Sequence, residues 1–190
     1  MIDDLEFPAQ KNFERDGYHF ERWPEVQNLS QLTDGHYHLI LLDIEGVGLN
    51  DSPEMQGLGI LRQIKKTNPS QMVILYSAKP QRLSYSSYLT LADVVIEKGI
   101  DYVSYKEKVD ELLLKRSTPS YFIAAMNENL GENAILAPKA VPKAMRAFRR
   151  GNATPFNNYI RDSLPDPQQA DIIIGIIQVG LATVPIFTGA

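Results

Sequence analysis

The chain has 190 residues, 44% of them hydrophobic, a net charge of −4, a pI near 5.4 and no cysteine. That length suits one ordinary domain with an extension, or two small ones, and the apolar content is enough for a real core. The acidic balance argues against broad nucleic-acid affinity, and the missing thiols exclude disulfides, thiolate zinc sites and a cysteine nucleophile.

The beginning, Met1-Ile2-Asp3-Asp4, is acidic within four residues and does not read as a signal peptide; with no cysteine, a cytoplasmic setting is expected. A stub helix around Ala9–Arg15 precedes an aromatic-rich run, Tyr18–Trp23, whose flanking Gly17 and Pro24 suggest a strand. Glu25–Leu32 carries Val26, Leu29 and Leu32 at helical spacing. The run His38–Leu42 is short and apolar, as a buried parallel strand would be. A loop with Gly46, Gly48, Asn50 and Pro53 leads to a helix at Gln56–Lys66, whose terminal lysines suit the helix dipole. A strand at Met72–Tyr76, a helix at Gln81–Leu91, a strand at Asp93–Ile96 and a helix at Ser104–Lys115 continue the alternation. Such alternation implies an α/β doubly wound parallel sheet with helices on both faces. The expected division is residues 1–116 for this domain and 117–190 for a mostly helical extension broken by prolines.

Chemistry-bearing residues sit where the apolar runs end. Asp43 follows Leu39-Ile40-Leu41-Leu42, Ser77 follows Met72–Tyr76, and Lys98 lies just after Val94-Val95-Ile96; the pair Asp3-Asp4 stands near the start. In open α/β sheets the carboxyl ends of the strands share one edge, where ligands bind, so residues distant in sequence would meet in one pocket.

In this ordered set the chain resembles the receiver domain of bacterial response regulators over roughly residues 1–116. The resemblance implies a flavodoxin-like receiver fold with its first strand truncated, since only Met1 and Ile2 precede Asp3. It further implies that Asp43 accepts a phosphoryl group from a histidine kinase or phosphotransfer protein, that Ser77 and Lys98 contact the phosphoryl oxygens, and that Mg²⁺ is held by Asp3, Asp4 and Asp43. The backbone carbonyl of Glu45 would add a further metal ligand. Mg²⁺ prefers oxygen donors and keeps several waters, so a few carboxylates suffice. The chain departs from the family's pattern at Gly99, where a proline is usual, at Val95, where an aromatic is usual, and in the loop Ile44-Glu45-Gly46-Val47-Gly48. Two alternatives stay open. One is a receiver-like module that binds a partner without taking phosphate. The other is a haloacid dehalogenase-like phosphatase, because Asp43-Ile44-Glu45-Gly46-Val47 looks like that family's first motif; Asp162, Asp166 and Asp171 follow no apolar strand that would supply its later acidic pair.

His19, His36 and His38 have no carboxylate at ligand spacing and read as surface or edge residues. Pro142–Arg150 is basic and acid-free; contact with nucleic acid or lipid headgroups is open to it, but it reads as a solvated face, no nucleic-acid partner is expected, and a homodimer is among the expected assemblies. Residues 172–188 carry no charge. A bilayer span needs about 20 apolar residues, so a C-terminal membrane anchor competes with burial of a terminal element, and burial is preferred.

Overall fold

The computed structural model describes residues 1–78 and 86–184. The chain divides into two compact units, Met1–Lys66 with Gln71–Leu113, and Thr67–Ser70 with Leu114–Ala190. The boundary therefore falls inside a helix, a few residues before the one expected from sequence.

Three strands, β1 (Leu39–Asp43), β2 (Met72–Ser77) and β3 (Val94–Glu97), form a parallel sheet in the order β1-β2-β3. Leu39 pairs with Met72 and Asp43 with Tyr76; Ile74 pairs with Val94 and Ser77 with Glu97. The expected first strand survives as a single position. Ile2 bridges Leu42 on one side and Trp23 on the other, through Ile2 N–H to Leu41 O at 2.8 Å, Asp43 N–H to Ile2 O at 2.9 Å and Asp3 N–H to Trp23 O at 3.1 Å. This seats Asp3 beside the end of β1.

The Tyr18–Trp23 run is not the strand its composition suggests. Backbone pairing is confined to Trp23, and the other aromatics serve as side-chain packing. Phe20 stacks on Phe7 and Phe13 with centroids 5.7 and 6.0 Å apart, and the Tyr18 hydroxyl donates to Asp110. Side-chain burial has overridden strand propensity, as it often does.

Both faces of the sheet are covered. On one, Ile40, Leu42, Val73 and Leu75 pack with Leu32 of α2 (Leu29–Thr33) and with Leu58, Leu61 and Ile64 of α3 (Gly57–Thr67). On the other, Tyr76 meets Phe7 and Tyr105, the latter from α5 (Tyr102–Arg116), while Phe13 comes from α1 (Gln10–Arg15). Every residue of β2 is buried, which is why its sequence is a continuous apolar run instead of an alternation. The helix expected at Glu25–Leu32 starts only at Leu29. Asn28 caps it, accepting from Ser30 and Gln31 N–H at 3.0 and 3.3 Å. The Glu25 carboxylate is instead spent on the loop after β1, accepting from Gly48 and Leu49 N–H. The first part of the helix expected at Gln81–Leu91, residues 81–85, lies outside the described residues; α4 covers Ser86–Leu89.

The second unit is helical: α6 (Pro119–Leu130), a 3₁₀ turn (Gly131–Ile135), α7 (Ala140–Arg150), α8 (Thr154–Ser163) and α9 (Pro167–Thr183). Pro142 does not break α7, because it occupies the first turn, where its missing N–H has no intrahelical role. The Arg116 guanidinium, buried, donates to Ser70 O at 2.6 Å and lies over the Phe122 ring.

The charge-free stretch forms most of α9, and it is core. Ala170, Ile173, Ile174, Ile176, Ile177 and Gly180 are buried in a cluster with Phe122, Met126, Phe148, Phe156 and Ile160. Burying each isoleucine contributes about 1.5–3 kcal/mol. Among the described residues no helix is long and apolar enough to cross a membrane, and most isoleucines of the described part of 172–188 are buried in the second unit's core.

Gly180 is where α9 comes closest to its neighbours. A Cβ there would lie 2.7 Å from Phe122 Cγ and 2.8 Å from Phe148 Cζ. Gly180→Ala should gain roughly 1 kcal/mol of helix propensity and lose about 1–3 kcal/mol to overpacking against two rigid rings. The expected net result is a lower denaturant midpoint for the second unit; an unchanged or raised midpoint would show that the rings move aside freely.

Candidate functional site

Because β1, β2 and β3 run parallel, Asp43, Ser77 and the residues after β3 emerge at one edge of the sheet, and the Ile2 bridge adds Asp3 and Asp4. One carboxylate oxygen from each of Asp3, Asp4 and Asp43 lies within 4.8 Å of the others. Asp3 and Asp43 are buried and Asp4 is exposed, so the cluster opens to water on the Asp4 side. The Lys98 ammonium reaches in from the end of β3, 2.5 Å from Asp43 Oδ2 and 3.1 Å from Asp3 Oδ2. It also lies over the Tyr76 ring, 4.9 Å from the centroid.

The two buried carboxylates are each held on the other oxygen by the backbone. Asp43 Oδ1 accepts the Ile44 N–H at 2.7 Å, and Asp3 Oδ1 accepts the Leu5 N–H at 2.9 Å. Lys98 is anchored through its own N–H, which donates to Ser77 O at 2.9 Å. Two glycines make the room. At Gly46, which has φ +87°, a Cβ would sit 2.7 Å from Asp4 Oδ2; at Gly57 one would sit 1.9 Å from the Asp43 carbonyl oxygen. Tyr76, Tyr105 and Phe7 form the dry wall behind, with Tyr105 packed on Tyr76 at 5.7 Å.

The electrostatics follow from that wall. Burial pushes the Asp43 carboxyl above the ordinary carboxylate range; Lys98 pulls it back in part, and Asp3 pushes it up further. Burial disfavours the charge on Lys98, but Asp43 and Asp3 more than offset this and hold its ammonium above the usual lysine value. Three carboxylates against one ammonium leave the pocket short of positive charge. All the acidic donors are oxygens, which suits a hard divalent cation such as Mg²⁺.

The structure thus gathers Asp3, Asp4, Asp43 and Lys98 of the expected set. Ser77 is buried at the end of β2, one residue past the Tyr76 that pairs with Asp43. Glu45 is exposed, and its carboxylate is not among those of the cluster. Asp166 caps α9 and Asp171 pairs with Arg161 at 3.0 Å; neither joins the cluster, nor does Asp162. His19, His36 and His38 are exposed and line another cavity, of about 350 Å³, together with Leu39 and Phe13. Sequence reasoning missed Tyr76, Tyr105, Gly46 and Gly57. Tyr76 was hidden inside an apolar run that explains itself as strand, and the two glycines read only as loop and helix start.

No protein-family model matches the chain, and no curated protein matches it. Solved structures similar to this chain include two receiver-type proteins. One is a CheY-like response regulator receiver domain protein from Methanospirillum hungatei JF-1, with a TM-score of 0.47 and 23% identity, covering 58% of this chain and 87% of that one. The other is NtrX from Brucella abortus, solved in complex with ATP, with a TM-score of 0.49 and 18% identity, covering 77% of this chain and 33% of that protein's own length. At these scores only the side chains speak to function.

Lys98→Met removes the one ammonium between Asp3 and Asp43. The expected cost is about 1.5–3 kcal/mol at neutral pH, the worth of hydrogen bonds to charged groups. The native Asp43 carboxyl then lies still higher above its unfolded value. The folded state binds more protons than the unfolded state between those two values, so stability falls as pH rises through that interval. Denaturant unfolding across pH should therefore show the variant's deficit shrinking as the carboxylates protonate. A deficit of equal size at every pH would contradict the charge balance.

Proposed function

We propose that this chain is a receiver-type signalling module in which the Asp43 carboxylate accepts a phosphoryl group. The observation that carries this is the meeting of Asp43 with two further aspartates and Lys98 at the carboxyl edge of a parallel sheet. A carboxylate is a competent nucleophile toward phosphorus. In the transfer, one Asp43 Oδ forms the new O–P bond while the N–P bond of a phosphohistidine donor breaks; the bonding pair stays on the imidazole nitrogen, which takes up a proton. Little covalent chemistry is needed beyond positioning and neutralisation of the phosphoryl oxygens.

Asp3, Asp4 and Asp43 fit a bound Mg²⁺, by their shared oxygen chemistry and close approach. When bound, that ion would supply charge neutralisation. The protein's own contribution is separable. The Ile44 N–H orients Asp43, and Lys98 offers a cation to the incoming anionic oxygens. In this reading Ser77 would offer a hydroxyl from the end of β2, and Glu45 a backbone carbonyl from the loop after β1. A histidine kinase or phosphotransfer protein is the fitting donor. The helical second unit is the candidate relay, either through a partner or through homodimerisation.

Incubation with acetyl phosphate tests this, read by intact mass and by the acid and base lability of the adduct. The expected result is one phosphoryl group per chain in the presence of Mg²⁺, little with chelator, and none in Asp43→Asn. Labelling that persists in Asp43→Asn would overturn the assignment. Absence of labelling would favour a module that only binds a partner. Steady hydrolysis of a small phosphate ester, lost in Glu45→Gln, would favour a phosphatase.

A further inference from the structure

The stretch from Asn133 to Arg161 contains Lys139, Lys143, Arg146, Arg149, Arg150 and Arg161 and no acidic residue, in a chain whose net charge is −4. Most of it is α7 and the turn that leads into it. Helical geometry sorts α7 cleanly. Ala140, Ala144, Ala147 and Phe148 are buried in the core of the second unit. Val141 and Met145 are exposed, one turn apart, and Arg149 continues their stripe; Pro142, Arg146 and Arg150 form the next one. Just upstream, Ile135 is 82% exposed and Leu136 is exposed as well.

Two of the six cations have work within the unit. Lys143 lies over the Tyr159 ring at 5.0 Å, and Arg161 pairs with Asp171. Among the described residues Lys139, Arg146, Arg149 and Arg150 enter no ion pair. This outward face thus combines cations that have no acidic partner among the described residues with exposed aliphatic side chains.

We infer that this face of the second unit docks on an anionic phospholipid surface. Cations dispersed along a convex helix match the many negative headgroups of a bilayer, each contact adding a modest gain. Val141 and Met145, with Ile135 and Leu136 before them, supply the shallow apolar insertion of an interfacial helix. Nucleic acid would reward the cations only. Its phosphates gain nothing from aliphatic groups, and base stacking calls for aromatic side chains, of which the exposed α7 stripes have none. The contact is peripheral: no described helix can span a bilayer, and α9 is committed to the core.

The test is flotation of the full chain with vesicles of phosphatidylcholine alone and with about 30% phosphatidylserine. The expected result is several-fold more bound protein on the anionic vesicles, weakening as salt rises and the headgroup charge is screened. Arg146→Glu with Arg149→Glu should lower binding about tenfold or more. Val141→Ser with Met145→Ser should also lower it although every cation remains. Because all four side chains are exposed, unfolding midpoints should stay near wild type; Arg146→Gln with Arg149→Gln serves where the reversal disturbs folding. Equal binding to both vesicle types, or no binding to either, would overturn the proposal. So would binding that ignores the substitutions, or preferential binding to duplex or single-stranded DNA lost with the same arginines.

Discussion

The first unit depends on one arrangement: a single ammonium, Lys98, held between two buried carboxylates, Asp3 and Asp43, against an aromatic wall. Buried charges are costly unless paired and hydrogen-bonded. Here every carboxylate oxygen facing the interior has a donor, either Lys98 or a backbone N–H. The remaining imbalance is deliberate in the physical sense that the backbone enforces it. Gly46 and Gly57 let the loop after β1 and the start of α3 close in on Asp4 and Asp43, which keeps the acids near one another. What would relieve them is more positive charge, which is the property expected of a site that recruits a divalent ion.

That pocket exists because the sheet is parallel. Parallel strands deliver their carboxyl ends to one edge, and the Ile2 bridge carries Asp3 and Asp4 to the same place with the least possible strand. A one-residue bridge is enough because it is paired on both sides and fully buried. The second unit obeys a different logic. Its core is a set of helices around α9, whose apolar residues wrap most of its circumference, as befits a central helix. One outward face, α7, is left both basic and partly apolar.

Much of this was legible in the sequence. The apolar run at 72–76 is buried throughout, that at 39–42 nearly so and that at 94–96 in part, so burial dictates most of their composition and they read as strands. The acids and the lysine that follow them were readable for the same reason, since a charge that terminates a buried run has to emerge at the sheet edge. The Tyr18–Trp23 run misled because aromatic residues favour strands and side-chain clusters alike, and only tertiary packing chose the cluster. Glu25–Leu32 misled because Glu25 serves a loop distant in sequence, a contact that no local pattern encodes. Tyr76 and Tyr105 escaped notice since their role is to exclude water from charges supplied by other segments. In the tail, the absence of charge signalled burial but could not by itself distinguish protein from lipid as the medium.

The most direct measurement is the anomalous-scattering map of a crystal soaked in Mn²⁺ as a stand-in for Mg²⁺. The account predicts one strong peak bounded by the carboxylates of Asp3, Asp4 and Asp43, with Lys98 still beside Asp43. A map with no peak there, or with its main peak at some other acidic surface, would contradict it.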